Sequence, residues 1–390
     1  MNLNNKNICF VSAYAAPYGG NFIKMLQALA LRLKNHYNCH ICFIFPMQSD
    51  KDWLEELSTK YEVGYVGTDN VTTELSILFD KWDTDMVHTH FESYDIPVAK
   101  AIKISSRQIK QVWHIHDYMS LDKRGLSLPK IRKFFTNQRF WKQYGKWGKS
   151  AYFIAVSDEM AQFVNHYRSH RFKYPRLYKA NYHSKNELIR TEFVINGIDL
   201  SRIDTGCFTK SEDDIFTFLT FGGESISKGI PTIFNACELL SKKKLAFKLF
   251  LTEGYTTAML LDDRFGGELP EWLFLIKQTN NISELFSKSD CYISASRRET
   301  MSMAIAEASL FGLPVIQSDI PGTLWNASCP SSFLFPVDDA TALSEEMMRV
   351  IELSKNGEMQ KRVEQTRTLN LKRLSMDLWV DRIIDIYKKI

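Results

Sequence analysis

Thirteen short apolar runs, set apart by longer stretches of helical period, dominate this sequence of 390 residues. In the first half they are Ile8–Ser12, Ile41–Phe45, Val63–Val66, Met86–His90, Gln111–Ile115, Ala151–Val156 and Phe193–Ile195. In the second half they are Phe216–Phe221, Ala246–Leu251, Leu273–Ile276, Cys291–Ser294, Pro314–Gln317 and Phe333–Phe335. Between them lie helical patterns such as Phe22–Leu33, Thr232–Leu240, Ile282–Ser289 and Ala340–Leu353. Continuous apolar strands separated by helices predict parallel sheets covered on both faces. Thirteen strands overfill one open sheet, so the pattern predicts an α/β chain of two doubly wound units.

The boundary between them is expected after Asn196-Gly197-Ile198-Asp199, where an apolar run ends in a turn and a polar, acid-rich segment follows. Residues 1–199 then form one domain and 200–372 the other. Residues 373–390 carry Trp379, Ile383, Ile386, Tyr387 and Ile390 at helical spacing, predicting an amphipathic helix that braces the domains.

With 45% hydrophobic and 24% charged residues the chain has an ordinary globular composition, which excludes a disordered or collagen-like protein. Its seven cysteines are odd in number and scattered, and Cys39-His40-Ile41-Cys42 has no second pair to complete a zinc site. Such thiols fit a reducing compartment. The polar start Met1–Lys6 lacks the form of a secretory signal, and no apolar run approaches a membrane span. The chain is expected to be cytoplasmic.

The net charge of +4 conceals an asymmetry. From Lys123 to Lys185 there are fifteen Lys and Arg against two acids, interleaved with Phe134, Phe135, Phe140, Trp141, Tyr144 and Trp147. Basic residues mixed with aromatics fit an anionic membrane face, a nucleic acid or a phosphorylated substrate. A solvated basic face with inward aromatics is the plain alternative.

In open α/β sheets ligands bind outside the carboxyl ends of strands. Two such turns stand out. Phe221-Gly222-Gly223-Glu224-Ser225-Ile226-Ser227-Lys228-Gly229 follows a strand and precedes a helix; its glycines permit close backbone approach to a phosphate and Lys228 adds a charge. It is neither a Walker A motif nor GxGxxG. The second, Ser296-Arg297-Arg298-Glu299-Thr300-Met301-Ser302, opens a helix that Gly312-Leu313-Pro314 ends. Amides at Thr300, Met301 and Ser302 are expected to form an anion site. If the helix begins there, Glu307 lies about 12 Å from Glu299, a span that suits a sugar, a diphosphate and a ribose.

The E-x7-E segment from Glu299 to Glu307, followed by Gly312-Leu313-Pro314-Val315-Ile316, resembles the family-4-like (group 1) retaining glycosyltransferases of the GT-B fold. Pro17-Tyr18-Gly19-Gly20, Asp85–His90, His114-Ile115-His116-Asp117, Ala155–Asp158, Asn196–Asp199, Phe221–Gly229 and Asn281–Asp290 resemble further family segments in the same order. The resemblance implies two Rossmann-like domains facing across a cleft, the first binding an acceptor and the second a nucleotide sugar. It implies a catalytic set of His116, Glu299 and Lys228. Glu307 would hold the ribose, Glu299 the sugar, and Thr300, Met301, Ser302, Gly222, Gly223 and Lys228 the donor diphosphate, with Gly19 and Gly20 reaching the phosphates. It implies retention of anomeric configuration and no cofactor or metal. The expected partners are a UDP- or GDP-sugar and a glycan or lipid-linked acceptor in bacterial surface-polysaccharide assembly. No nucleic acid is expected, and the basic stretch Lys123–Lys185 would lie on the membrane's inner face.

One departure stands in the phosphate loop: Gly223 occupies the position where such enzymes usually carry an arginine. Arg297 or Arg298 is expected to replace that cation. A silent binding subunit or a nucleotide-sugar epimerase on the same fold are the rival readings. Asp83-Thr84-Asp85 has the form of a metal-binding DxD but precedes a strand, so a plain loop is expected.

Overall fold

The computed structural model describes residues 1–47, 51–116, 143, 146–158, 160–161, 191–203, 215–254 and 256–390. Asp117, Cys207 and about three quarters of the basic stretch 123–185 lie outside the described residues. Contacts divide the chain into Met1–Gly197 with Met376–Ile390, and Ile198–Ser375.

In the first unit β1 (Asn7–Ser12), α1 (Gly20–Tyr37), β2 (His40–Pro46), α2 (Asp52–Ser58), β3 (Glu62–Val66), α3 (Val71–Lys81), β4 (Met86–His90), α4 (Asp95–Ile104), β5 (Lys110–Ile115), β6 (Ala151–Ala155) and β7 (Thr191–Phe193) follow in chain order. The strands form one sheet, β3-β2-β1-β4-β5-β6-β7, with every pairing parallel. Strand order reverses between β1 and β4. The expected strand at Phe193–Ile195 falls two residues earlier; Val194 still donates to the Ala155 carbonyl before the chain turns toward Ile198.

The second unit repeats the plan with β8 (Phe216–Phe221), α5 (Ile230–Lys242), β9 (Phe247–Thr252), α6 (Thr257–Phe265), β10 (Leu273–Ile276), α7 (Ile282–Ser287), β11 (Cys291–Ser294), α8 (Met303–Phe311), β12 (Val315–Ser318), β13 (Ser332–Phe335), α9 (Ala340–Lys355) and α10 (Glu358–Arg373). Its sheet runs β10-β9-β8-β11-β12-β13, again parallel, with the reversal between β8 and β11. Phe218, Phe234, Leu249, Ile293, Ile316, Phe333 and Met347 pack its core, which explains why these strands read as unbroken apolar runs.

The last helix, α11 (Met376–Lys389), packs on α1 inside the first unit. Trp379, Ile383 and Tyr387 are fully buried with Leu26, Leu29 and Phe10, while Arg32 of α1 grips Asp377 at 2.6 Å and Asp381 at 2.8 Å. Trp379→Ala is expected to remove about 3–5 kcal/mol of stability, the usual cost of emptying a large aromatic site. Urea unfolding followed by circular dichroism measures it; a loss under about 1 kcal/mol is the opposing result.

The DxD segment is structural. Asp85 accepts from the Asn7 amide at 2.9 Å and from Lys6 at 3.1 Å, and Asp83 pairs with Arg107 at 2.5 Å. Cys39 and Cys42 are buried free thiols, and burial pushes Cys42 up to about 12. Among the described residues no helix is long and apolar enough to cross a membrane.

Candidate active site

The reversal of strand order in the second unit places the turns after β8 and β11 side by side. The β8–α5 turn is held from within. Gly222 donates to the Thr252 hydroxyl at 3.1 Å, Ser225 to the Thr256 hydroxyl at 2.8 Å, and Ser227 to the Glu224 carboxylate at 2.9 Å. A Cβ on Gly222 would lie 2.2 Å from the Thr252 carbonyl oxygen. Gly223 sits at φ +47 and Gly229 at φ +68, conformations that glycine adopts without penalty. With these amides engaged inside the turn, its outward charge is the Lys228 ammonium.

That ammonium meets the second turn. Lys228 Nζ lies 2.5 Å from Glu299 Oε1, which also accepts from Ser296 Oγ at 2.9 Å. The Arg297 amide donates to the Ser227 carbonyl at 2.8 Å, joining the two backbones. Gly322 packs beneath: a Cβ there would fall 1.8 Å from the Glu299 carbonyl oxygen. The following helix starts at Met303, with Ser302 as its N-cap, three residues later than expected. Glu299 to Ser302 are therefore a turn, and the helical spacing from Glu299 does not apply. Met301 and Ser302 are nonetheless buried.

Glu307, one turn into α8, is almost wholly buried and accepts from Arg202 Nη1 at 2.5 Å. Burial pushes its carboxyl up and the guanidinium pulls it back, leaving it above the usual carboxylate range. Tyr292 on β11 senses both glutamates: burial first, then Glu299 and Glu307, drive its phenol well above the ordinary range, so it stays protonated. Arg297, expected to replace the missing cation at Gly223, donates its Nε to Asp338 at 2.7 Å. Arg298 lies in the same turn.

Arg202, Tyr292 and Gly322 were invisible to motif reading. Arg202 is 105 residues from its partner, Tyr292 looks like any β-strand aromatic, and Gly322 opens a later loop.

The remaining expected residues lie in the first unit. Gly19 caps α1 in helical conformation, and Gly20 has φ +54. His116 directly follows β5, with Nε2 2.9 Å from His90 Nδ1 and the Phe22 ring edge-on at 5.5 Å. Burial lowers its imidazole to about 3, so the ring is neutral.

His116 belongs to a larger set. His90 pairs with His114 in the β4–β5 register, and alternation puts His88, His90, His114 and His116 on one face. Nitrogens of His88, His90 and His114 lie within 4.8 Å of one another. The His88 and His114 rings are parallel within 4° with centroids 5.3 Å apart, and the set forms a stack of buried imidazoles.

Residues 216–353 match the family described as glycosyl transferases group 1. The whole chain is similar in structure to a glycosyltransferase of Rickettsia africae, at TM-score 0.75 and 16% identity, over 99% of this chain and 98% of that one. It is similar to Anabaena HepE in complex with UDP-glucose, at 0.73 and 15%, over 98% and 100%. It is also similar to the lipopolysaccharide outer core galactosyltransferase WaaB, at 0.68 and 15%, over 98% and 100%. Among curated proteins none matches the chain in sequence. Two parallel sheets of the same 3-2-1-4-5-6 core order, each with its helices, make this a chain of the GT-B fold, and residues 216–353 of its second unit carry the match to the group 1 glycosyl transferases.

Proposed function

We propose that the chain is a retaining glycosyltransferase that moves a sugar from a nucleotide-diphosphate sugar to a glycan or lipid-linked acceptor. The observation that carries the reading is the joined pair Lys228–Glu299 beside buried Glu307, at the carboxyl ends of β8 and β11. Breaking a sugar–diphosphate bond puts negative charge on the leaving group and positive charge on the sugar carbon. A fixed ammonium beside a fixed carboxylate answers both, and preorganised groups of this kind are the main catalytic resource. We assign Lys228 to the diphosphate, Glu299 to the sugar and Glu307 to the ribose hydroxyls, with Thr300, Met301 and Ser302 lining the donor. Lys228 supplies the cationic charge in this reading, so transfer is expected to persist in EDTA.

HepE is described with UDP and UDP-glucose, and WaaB acts in the lipopolysaccharide outer core. These support a UDP-sugar donor and an acceptor from surface polysaccharide, which we assign to the first unit. The roles given to His116, Gly19 and Gly20 rest on the family resemblance alone, as does peripheral placement at a membrane.

The test is a calorimetric and thermal-shift panel of UDP, GDP, CDP and ADP on wild type and Glu307→Ala. Nucleotide binding raises the melting temperature by mass action. One base is expected to stand out and to be lost in the variant; no binding by the wild type overturns the reading. A second reading, a silent subunit, is favoured by Gly223, which removes a cation from the phosphate loop. It is distinguished by nucleotide binding without turnover.

A further inference from the structure

The Asn196–Asp199 motif has a local consequence that reaches the nucleotide site. Within the second unit Ile198 donates to the Leu374 carbonyl at 2.9 Å, pinning the start of the segment. The Asp199 carboxylate then caps a single 3₁₀ turn, Leu200–Arg202, by accepting from the Ser201 amide at 3.1 Å. Ser283 of α7 donates its hydroxyl to the Arg202 carbonyl at 3.0 Å, fixing the backbone from a second side. The turn thus delivers Arg202, with a side chain 17% exposed, to Glu307, whose side chain is 8% exposed.

We propose that Arg202 is the positioning residue for ribose recognition: its guanidinium fixes one oxygen of Glu307 and so presents the carboxylate, ionised and immobile, to a vicinal diol. This rests on the reading of Glu307 as the ribose group. A carboxylate that accepts two hydroxyls of a ribose must be charged and held in one rotamer, because a buried acid left alone becomes protonated. A guanidinium is suited to that task, since it stays charged and donates in a fixed plane. Among the described residues, the neighbouring elements engage their polar groups elsewhere. Tyr292 from β11 is a neutral phenol, Arg367 of α10 donates to the Leu310 carbonyl at 3.0 Å, and Glu284 of α7 is paired with Lys288 at 2.7 Å. Glu299 is taken by Lys228. Burial, which holds the Glu307 carboxyl up, is offset by the charge and the hydrogen bond of Arg202.

The test uses calorimetry with UDP and 2′-deoxy-UDP on wild type, Arg202→Met, Arg202→Lys and Glu307→Ala, from pH 6 to 8.5, with melting temperatures to confirm folding. GDP, CDP and ADP with their 2′-deoxy forms are run beside them, and the tightest binder serves for the comparison. Wild type should prefer the ribonucleotide at every pH. Arg202→Met should weaken it about tenfold to a hundredfold, the scale of a lost bond to a charged group. Its preference for the 2′-hydroxyl should nearly vanish at pH 6 and return as pH rises and Glu307 ionises. Arg202→Lys should restore most of the preference at pH 6. Tighter binding by Arg202→Met would mean that Arg202 occludes the site, and the proposal falls. It also falls if affinity and preference are unchanged in Arg202→Met while Glu307→Ala loses both, leaving the ribose role intact. If the wild type binds no nucleotide, or binds without regard to the 2′-hydroxyl, the ribose reading itself fails and takes the proposal with it.

Discussion

Replacing Lys228 with methionine is expected to cut turnover by two to three orders of magnitude. Loss of one preorganised donor to a developing negative charge costs about that much, roughly 3–4 kcal/mol. Here the upper end is expected, because Gly223 leaves the phosphate loop without its usual arginine and Arg297 is held by Asp338. Methionine keeps the length of the apolar stem, so packing is largely retained. The variant also releases Glu299 from the ion pair, leaving it the Ser296 hydroxyl. Because bond cleavage adds negative charge to a diphosphate that is already anionic, donor affinity should weaken and kcat should fall by a larger factor. The assay follows release of nucleoside diphosphate from the donor chosen by the binding panel, with cell-envelope extract as the acceptor source. A kcat within a few-fold of wild type, in a variant that melts normally, would remove Lys228 from catalysis.

Acid is expected to unfold the first unit before the second. His88, His90, His114 and His116 are all buried and all lowered, His116 to about 3 and the others well below 6.5. Desolvation is the leading cause for each, with repulsion from neighbouring imidazoles adding to it in His88, His90 and His114. The sign follows from proton counting. Below about pH 6.5 the unfolded chain binds protons that the folded stack refuses, so stability falls as pH falls. Each imidazole contributes up to about 1.4 kcal/mol per pH unit in that window. By pH 5 the four together remove on the order of 8 kcal/mol, comparable with the whole stability of a typical domain. The slope relaxes only as pH drops through the folded-state values. Hydrogen exchange across pH 7.5 to 4.5 measures the effect unit by unit. Protection in β4, β5 and α11 should collapse near pH 5 while β8 and β11 remain protected. His114→Phe should reduce the proton uptake by one; an unchanged slope in that variant would exclude the stack as the cause.

The sequence made the strands legible to within a residue or two because parallel strands buried on both faces leave no polar gaps. Phe216–Phe221 and Cys291–Ser294 agree with expectation at both ends. The start of α8 was not legible. Thr300 to Ser302 are compatible with a helix, but Glu299 is pulled into the Lys228 pair and Gly322 packs on its carbonyl, which holds the chain in a turn. Lys228 and Glu299 each stood out by position after a strand, yet their pairing depends on strand order, which no local pattern encodes. The histidine stack shows the same limit. His88-Thr89-His90 and His114-Ile115-His116 alternate visibly, but only the β4–β5 register brings them onto a shared face. The pairing of Arg297 with Asp338 was equally hidden, since Asp338 comes from a distant loop.

The first unit is discontinuous in the chain, and this sets a timetable for its synthesis. Its seven strands and α1 are made before residue 198, but α11, whose Trp379 and Tyr387 close its core, is made after residue 375. At translation rates of about 5–20 residues per second, the intervening 178 residues take on the order of ten to thirty-five seconds. During that interval Phe10, Leu26 and Leu29 have no α11 to cover them, whereas the second unit is contiguous and can close as it emerges. A nascent chain stalled before residue 376 should therefore carry a folded second unit beside an open first one, which is the form that a chaperone would meet.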